Sequence, residues 1–302
     1  MSEKILVTGG TGFLGYNLLK KLSKLNYKLS SLSTNKPKKE KKISNVNYII
    51  CDVANKIKLR NKIKKDYDYI VNFSGYVDHQ KKTKTIKSHF NGCKNLVDHF
   101  KNSNIKNFIQ IGSSMEYGFV KSPHKENTVC QPKGNYALAK YKASTYLKKI
   151  HKNLNFPFTI FRLYQIYGPH QSINRLIPIV INSCLKNKNF ACTSGQQIRD
   201  FLYVEDLSNL IIKSIKRKAR NKIYNVGSGK KIKVKDIIKN INTFIELGKP
   251  IYGKIKMRPE EALDNYPNIS KVKKDFNWQP KVKLKVGLKR TIKFYEKKKI
   301  NL

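Results

Sequence analysis

Cysteine is scarce in this sequence, and what there is falls in no C-x-x-C pair: Cys51, Cys93, Cys130, Cys184 and Cys192 are scattered along the chain. An odd, scattered set argues against a disulfide framework and against a zinc site, and it suits a reducing, cytoplasmic compartment. Long apolar runs are missing as well, so no segment is expected to span a bilayer as a helix. The opening residues, MSEKILVTGGTG, enter a strand-like run at once, which leaves no room for the charged, apolar and cleavage regions of a signal peptide. Acidic residues are few, 19 against 63 lysines and arginines, giving a formal net charge of +44. Such an excess would suit nucleic acid or an anionic surface. Yet lysine outnumbers arginine many-fold, its runs (KPKKEKK, KIKLRNKIKK, KFYEKKK) are spread over the whole chain, and no nucleic-acid motif accompanies them. Charge dispersed in this way supports only non-specific attraction, so no specific nucleic-acid partner is expected.

What is present is length and alternation. A chain of 302 residues can bury a large core. Its first half alternates β-like runs with helical patterns: KILVT, then a helix over 13–24; YKLSSLS; VNYIICD, then 55–65; YDYIVNFSG, then 84–103; NFIQIGSS, then 135–153; FPFTIFRL. Strand and helix alternating at this spacing predict right-handed crossovers and a doubly wound α/β fold with a parallel sheet of the Rossmann type. The strands are apolar without strict alternation, as strands buried on both faces should be. After Pro169 the pieces shorten: a helix near 174–186, FACTS, RDFLYVEDLSNLIIKSI, KIYNVG, and helices near 234–246 and 283–298. The pattern predicts a dinucleotide-binding domain over 1–165, with returns near 198–230, and a smaller interleaved substrate lobe over 166–197 and 231–302. The Lys-rich stretch 36–43 reads as a mobile loop.

VTGGTGFLG closes the first strand and opens the first helix, with Gly9, Gly12 and Gly15 three apart. Glycines here allow a tight turn, let a pyrophosphate approach the helix N-terminus, and let helix and sheet pack closely. The cofactor side is therefore read as Gly9, Thr11, Gly12, Phe13, Leu14 and Gly15. An acid about twenty residues on would hold a ribose 2′-hydroxyl and select NAD. The second strand instead ends in Ser33, Thr34, Asn35 and Lys36, chemistry that suits a 2′-phosphate, so NADP(H) is preferred and NAD(H) remains possible. Asp52 with Val53 after the third strand, and Phe73, Ser74 and Gly75 after the fourth, complete the cofactor side. In NYALAKYKAS, Tyr136 and Lys140 lie four apart and share a helix face. A tyrosine acting near neutral pH must come down about three units from its usual pKa, about 4 kcal/mol of differential stabilisation. A nearby ammonium and the positive nicotinamide ring can supply that.

Together these elements resemble the extended short-chain dehydrogenase/reductase family. The resemblance continues through RLYQIYGP (162–169), IRDFLYVEDL (198–207), YNVGSG (224–229) and the closing MRPEEALDNYPNISKVKKDFNWQP, motifs typical of members acting on nucleotide-linked sugars. It implies that Ser113 is the active-site hydroxyl, Tyr136 the acid/base, and Lys140 the residue that tunes the tyrosine and holds the nicotinamide ribose. Ser114, Gln165, Arg175, Arg199 and Arg258 then fall on the substrate side, the arginines offering forked donors to a diphosphate. It also implies a homodimer. Two positions depart from the family pattern: His89 and Gln165 stand where asparagines are usual.

Dehydratases of this family carry an acidic pair just after the active-site hydroxyl. Here those places are Ser114 and Met115, and methionine cannot do acid/base work, which argues against a 4,6-dehydratase. Glu116, one step further in a strand-like extension, is expected to point to the opposite side and brace the loop. A 4-keto reductase using NADPH and a 4-epimerase with tightly bound NAD share the Ser-Tyr-Lys core. The missing acid after the second strand favours the reductase. So does the likeness of RLIPIVINSCLKN and TSGQQIRDFLYVEDL to reductases that finish nucleotide-activated deoxysugars, the abequose synthase type, in O-antigen synthesis. An NADP-binding or RNA-associated scaffold of the same fold is the non-enzymatic alternative; scaffolds tend to lose the Tyr or the Lys, and both are kept here.

Overall fold

The computed structural model describes residues 2–76, 82–217, 220–259 and 261–300. The first half runs β1 (Lys4–Thr8), α1 (Phe13–Leu22), β2 (Lys28–Ser33), β3 (Val46–Ile50), α2 (Lys56–Lys62), β4 (Tyr69–Asn72), α3 (Lys82–Ile86), α4 (Gly92–Phe100), β5 (Asn107–Ser113), α5 (Gly134–Leu154) and β6 (Phe158–Leu163). The second half runs β7 (Gln165–Tyr167), α6 (Leu176–Leu185), β8 (Phe190–Ala191), β9 (Ile198–Arg199), β10 (Phe201–Tyr203), α7 (Val204–Lys216), β11 (Lys222–Val226), β12 (Ile232–Lys233), α8 (Val234–Ile245), β13 (Pro250–Ile251), β14 (Asp264–Asn265), α9 (Ser270–Phe276) and α10 (Leu284–Ile300).

Seven strands form one parallel sheet in the order β11-β6-β5-β4-β1-β2-β3. From β1 the chain moves outward to β2 and β3, then returns to the other side of β1 at β4. That reversal opens a crevice beyond the carboxyl ends of β1 and β4, where open α/β sheets bind their ligands.

Successive side chains of a strand leave opposite faces of the sheet, and both faces here are covered. Ile5 and Val7 of β1 enter a core closed by Leu18, Leu19 and Leu22 of α1 and by Leu207, Leu210 and Ile211 of α7. Leu6, between them, enters the opposite core with Leu59 of α2, Leu96, Val97 and Phe100 of α4, and Ala143 and Leu147 of α5. Burial of each such leucine is worth about 2 kcal/mol, so the strands hold their register against both layers. A third core joins Ile177, Val180 and Ile181 of α6 to Ile237 and Ile241 of α8 and to Leu288 and Ile292 of α10. It gathers segments on either side of β11.

One expectation is corrected. The helix expected over 84–103 is broken: α3 and α4 are separated by one turn of π-helix, Lys87–Asn91, of the kind that clusters at functional sites. The stretch 36–43, read as a loop, carries a single 3-10 turn, Lys39–Lys41, with no buried residue.

Candidate functional site

At the switch point β1 ends in a turn that only glycine fits. Gly9 has φ +70°, and a Cβ there would lie 3.0 Å from the Phe73 carbonyl carbon beyond β4. Gly15, one turn into α1, packs so closely on this loop that a Cβ would come within 2.4 Å of the Gly9 oxygen. Helix α1 opens after Gly12 without a side-chain cap and without an acid in its first turn, while Lys20 and Lys21 occupy its last. Unpaired first-turn amides and the helix dipole make this end attractive to an anion, and the glycines leave room for one. These residues fit a dinucleotide's pyrophosphate. Below the turn the strand ends are tied by buried polar groups. The Thr8 hydroxyl donates to Asn72 Oδ1 (2.6 Å), and Asn72 Nδ2 donates to Gln110 Oε1 (2.8 Å).

At the end of β2, Ser33 is buried and accepts a hydrogen bond from the Thr11 amide (3.2 Å), which joins the strand end to the glycine loop. Lys36 is exposed beyond it. Asp52 is exposed after β3, where its carboxylate accepts from the Ala54 amide (2.9 Å). Val53 beside it is buried against Gly92, the first residue of α4. Phe73, Ser74 and Gly75 line the end of β4, half-buried, and the Ser74 amide donates to Asn72 Oδ1 (3.1 Å).

The β5 strand delivers Ser113, and the next residues do not continue as a strand. They form a 3-10 turn, Ser114–Tyr117, closed by a reciprocal cap in which the Met115 amide donates to Ser113 Oγ (3.2 Å) and the Ser113 amide donates to Glu116 (2.9 Å). The turn corrects the extended geometry expected here, while Glu116 braces the loop as expected, its carboxylate fully buried and bonded to the Ser113 amide. The pattern S-x-x-E is itself the sequence signature of that cap. Ser114 is buried and Met115 half-buried beside it.

Helix α5 brings Tyr136 and Lys140 to the same place. Tyr136 is hydrogen-bonded to Ser113. The Lys140 ammonium, 5.9 Å from the centre of the Tyr136 ring, donates to the Ile111 carbonyl (2.7 Å). Burial brings Lys140 down to about 8, against a counter-pull from Glu116. Burial pushes the Tyr136 phenol up, and the groups that draw it back down are the Ser113 hydroxyl and the Arg175 guanidinium. Arg175, expected to grip a diphosphate, stands at the N-terminus of α6 with its charge acting on the Tyr136 phenol. The π-helical turn supplies His89, whose ring meets Tyr136 edge-on at 5.0 Å and packs so tightly on Gly75 that no side chain fits there. The His89 Nε2 atom is 3.1 Å from the Tyr76 carbonyl.

Of the other substrate-side expectations, Arg199 is buried and occupied by protein groups. Its guanidinium donates to the carbonyls of Ile198 (2.9 Å) and Leu263 (2.8 Å) and pairs with Glu261 (3.1 Å). Asp200 next to it takes three backbone amides, those of Ser228, Gly229 and Lys230, and burial raises its carboxyl to about 6 despite them. Gln165 and Arg258 are exposed. The structure thus brings Ser113, Tyr136 and Lys140 together with Arg175 acting on them, while Arg199 sits in the small β12-β9-β14 sheet and Arg258 is exposed. Sequence reasoning gave no role to Arg162, whose Nε donates to Glu116 (3.1 Å). A lone arginine in the strand FTIFRL, otherwise apolar but for a threonine, is a signal that a buried carboxylate waits nearby. Among the described residues no cluster of three or more His, Cys, Asp or Glu could hold a metal ion, and no helix is long and apolar enough to cross a membrane.

Known proteins share this architecture. A sequence model described as the NAD dependent epimerase/dehydratase family matches residues 5–227. The dTDP-D-glucose 4,6-dehydratase of Homo sapiens is 28% identical over 97% of this chain and 90% of its own length. The CDP-abequose synthase of Salmonella muenchen is 25% identical over 98% and 99%. The UDP-glucuronic acid 4-epimerase of Bacillus cereus, solved with UDP-glucuronic acid and NAD, superposes with a TM-score of 0.88 at 22% identity, covering 97% of this chain and 99% of that one. The chain belongs to the NAD dependent epimerase/dehydratase family.

Proposed function

We propose that this family member reduces the C4 carbonyl of a nucleotide-diphosphate 4-keto-6-deoxyhexose, with NADP(H) preferred to NAD(H). The observation that carries the choice is the loop after Ser113. Position 115 is methionine, and the one carboxylate beside it, Glu116, is sealed in an ion pair with Arg162, so neither can give or take a proton from a sugar. Removal of water needs such an acid; addition of hydride does not.

The bound dinucleotide supplies the hydride. Its pyrophosphate would lie on the glycine turn and the start of α1, and its nicotinamide ribose would meet Lys140. Ser113 donates a hydrogen bond to the substrate oxygen and polarises the carbonyl. Tyr136 gives its proton to that oxygen as C4 is reduced and recovers one from water. A phenol held above its ordinary value by burial stays protonated at neutral pH, which suits an acid. Arg175 stabilises the charge left on Tyr136, Arg199 exchanges its present partners for the diphosphate, and the exposed Arg258 joins it there. Ser33 in place of an acid supports the NADP(H) preference. The same reading includes a homodimer, a cytoplasmic setting, which five free cysteines suit, and the division into a cofactor domain over 1–165 with returns near 198–230 and a lobe over 166–197 and 231–302.

A second reading is a 4-epimerase with tightly bound NAD, favoured by the same arrangement, since Ser113, Tyr136 and Lys140 suffice for it. The deciding experiment adds purified protein to NADPH with a panel of nucleotide-linked 4-keto-6-deoxyhexoses and follows absorbance of the reduced cofactor. Consumption with at least one sugar is expected. No consumption, together with interconversion of UDP-glucose and UDP-galactose, would establish the epimerase instead.

A further inference from the structure

Glu116 is fully buried, yet it is not a remote structural acid. One oxygen accepts from the Ser113 amide (2.9 Å), and the other accepts from the Ser144 hydroxyl on α5 (2.8 Å) and from Arg162 Nε on β6 (3.1 Å). Its partners therefore belong to three different elements: the end of the strand bearing the active-site serine, the helix bearing Tyr136 and Lys140, and the neighbouring strand. Room for the carboxylate is made by Gly112, which pairs with Arg162 across the sheet; a Cβ at Gly112 would be 2.6 Å from Glu116 Oε1. Arg162 in turn lies over the Tyr117 ring, 4.6 Å from its centre, and the Tyr117 hydroxyl donates to Asn225 of β11 (2.8 Å).

We propose that Glu116 is a positioning residue for the reaction: as a buried anion bonded at both oxygens, it fixes Ser113 against the helix that carries Tyr136 and Lys140. This rests on the oxidoreductase reading above. The donor set explains why a carboxylate is required. The Ser113 amide and the Arg162 Nε–H can only donate, so both oxygens must accept; glutamine would turn an N–H donor toward one of them. The charge acts on the site as well. Tyr136 is faced by Ser113 and Glu116 from the end of β5, by Lys140 from its own helix, by Arg175 from α6 and by His89 from the π-helical turn. Among these Glu116 favours retention of the proton on both Tyr136 and Lys140.

The test compares Glu116→Gln, Glu116→Asp and Ser144→Ala with the parent chain. Turnover is one readout. The other is the titration of Tyr136, taken as the ultraviolet phenolate difference between each protein and its Tyr136→Phe counterpart, which needs no substrate. Glu116→Gln is expected to lose about 10- to 100-fold in kcat with KM changed by no more than about twofold, and its Tyr136 titrates at lower pH. Glu116→Asp keeps the charge but shortens the reach, so it loses kcat while the titration stays near the parent's. Ser144→Ala loosens only the helix tether and loses kcat by a smaller factor. Parental kcat and parental titration in Glu116→Gln would overturn the proposal. If that variant does not fold, parental kcat in both of the others overturns it. A parent chain inactive on every sugar defeats the functional reading alone; the titration then decides, a shift in Glu116→Gln supporting the role and no shift refuting it.

Discussion

Replacing Gly15 by alanine sets two physical effects against each other, and the structure decides the sign. In an exposed helix the change would stabilise by about 1 kcal/mol, because alanine is the better helix former. Here the added Cβ would lie 2.4 Å from the Gly9 carbonyl oxygen and 2.6 Å from Gly10 Cα, both backbone atoms that cannot swing aside. Carbon and carbonyl oxygen ordinarily meet at about 3.3 Å, so the turn and the helix must separate by roughly 0.9 Å. Forcing an extra group into a packed site typically costs about 1–3 kcal/mol. The net expectation is a loss of up to about 2 kcal/mol, which for a chain of this size lowers the melting temperature by up to about 4 °C. Because the displaced atoms are those that would cradle the pyrophosphate, dinucleotide affinity should fall by about tenfold or more, about 1.4 kcal/mol. Thermal unfolding followed by circular dichroism gives the first quantity and isothermal titration with NADPH and NADH the second. A variant that melts at or above the parent, with unchanged affinity, would refute both the close packing and the assignment of this turn to the cofactor.

Tyr136→Phe should bind dinucleotide as the parent does and lose about 10²–10⁴-fold in kcat; retained turnover in a stopped-flow assay would mean another group supplies the proton. Ser33→Asp places a carboxylate where a 2′-phosphate is expected, so the ratio of NADPH to NADH affinities should fall by about tenfold, as measured by titration of both. A ratio that does not move would remove Ser33 from cofactor choice. His170, between Tyr16 and Phe294, is lowered to about 4 by burial and by Lys41, Lys20 and Lys298. The folded state thus binds this proton less readily than the unfolded chain, so stability is full above pH 6.5 and declines as pH falls toward 4. The backbone at His170 is left-handed, φ +69°, which asparagine tolerates. The His170→Asn protein should therefore show a shallower loss of melting temperature over that window, and parallel curves would contradict the assignment.

The sheet was legible because its determinants are local. A run such as KILVT followed by three spaced glycines can be little else than a strand entering a phosphate-binding turn, and the apolar strands announce burial on both faces. Tyr136 and Lys140 were legible for the same reason, since four residues on a helix fix a shared face. What local reading missed depends on partners distant in sequence. Extended geometry was assumed after Ser113, although S-x-x-E encodes the cap that curls the chain; the value of that cap depends on Arg162, forty-six residues on. The π-helical turn has no comparable signature in sequence, and it alone brings the His89 ring against Tyr136. Arg175 was read by motif as a diphosphate ligand, and only the fold brings its charge to act on the Tyr136 phenol. Arg199 was read as a substrate ligand, and its pairing with Glu261, sixty-two residues on, could not be seen in the sequence.

The interleaving of the chain has a consequence for biosynthesis. Strands β1 to β6 are complete by residue 163 and include the whole glycine turn, whereas the third core cannot close until α10, residues 284–300, packs on α6 and α8. Domains tend to fold as their residues become available during synthesis. A chain emerging from the ribosome could therefore assemble a cofactor site well before a substrate site exists, and dinucleotide in the cell would act on the nascent half as a folding ligand. Protease resistance of ribosome-stalled chains ending near residue 230, measured with and without NADPH, would reveal it as protection that appears only with the nucleotide.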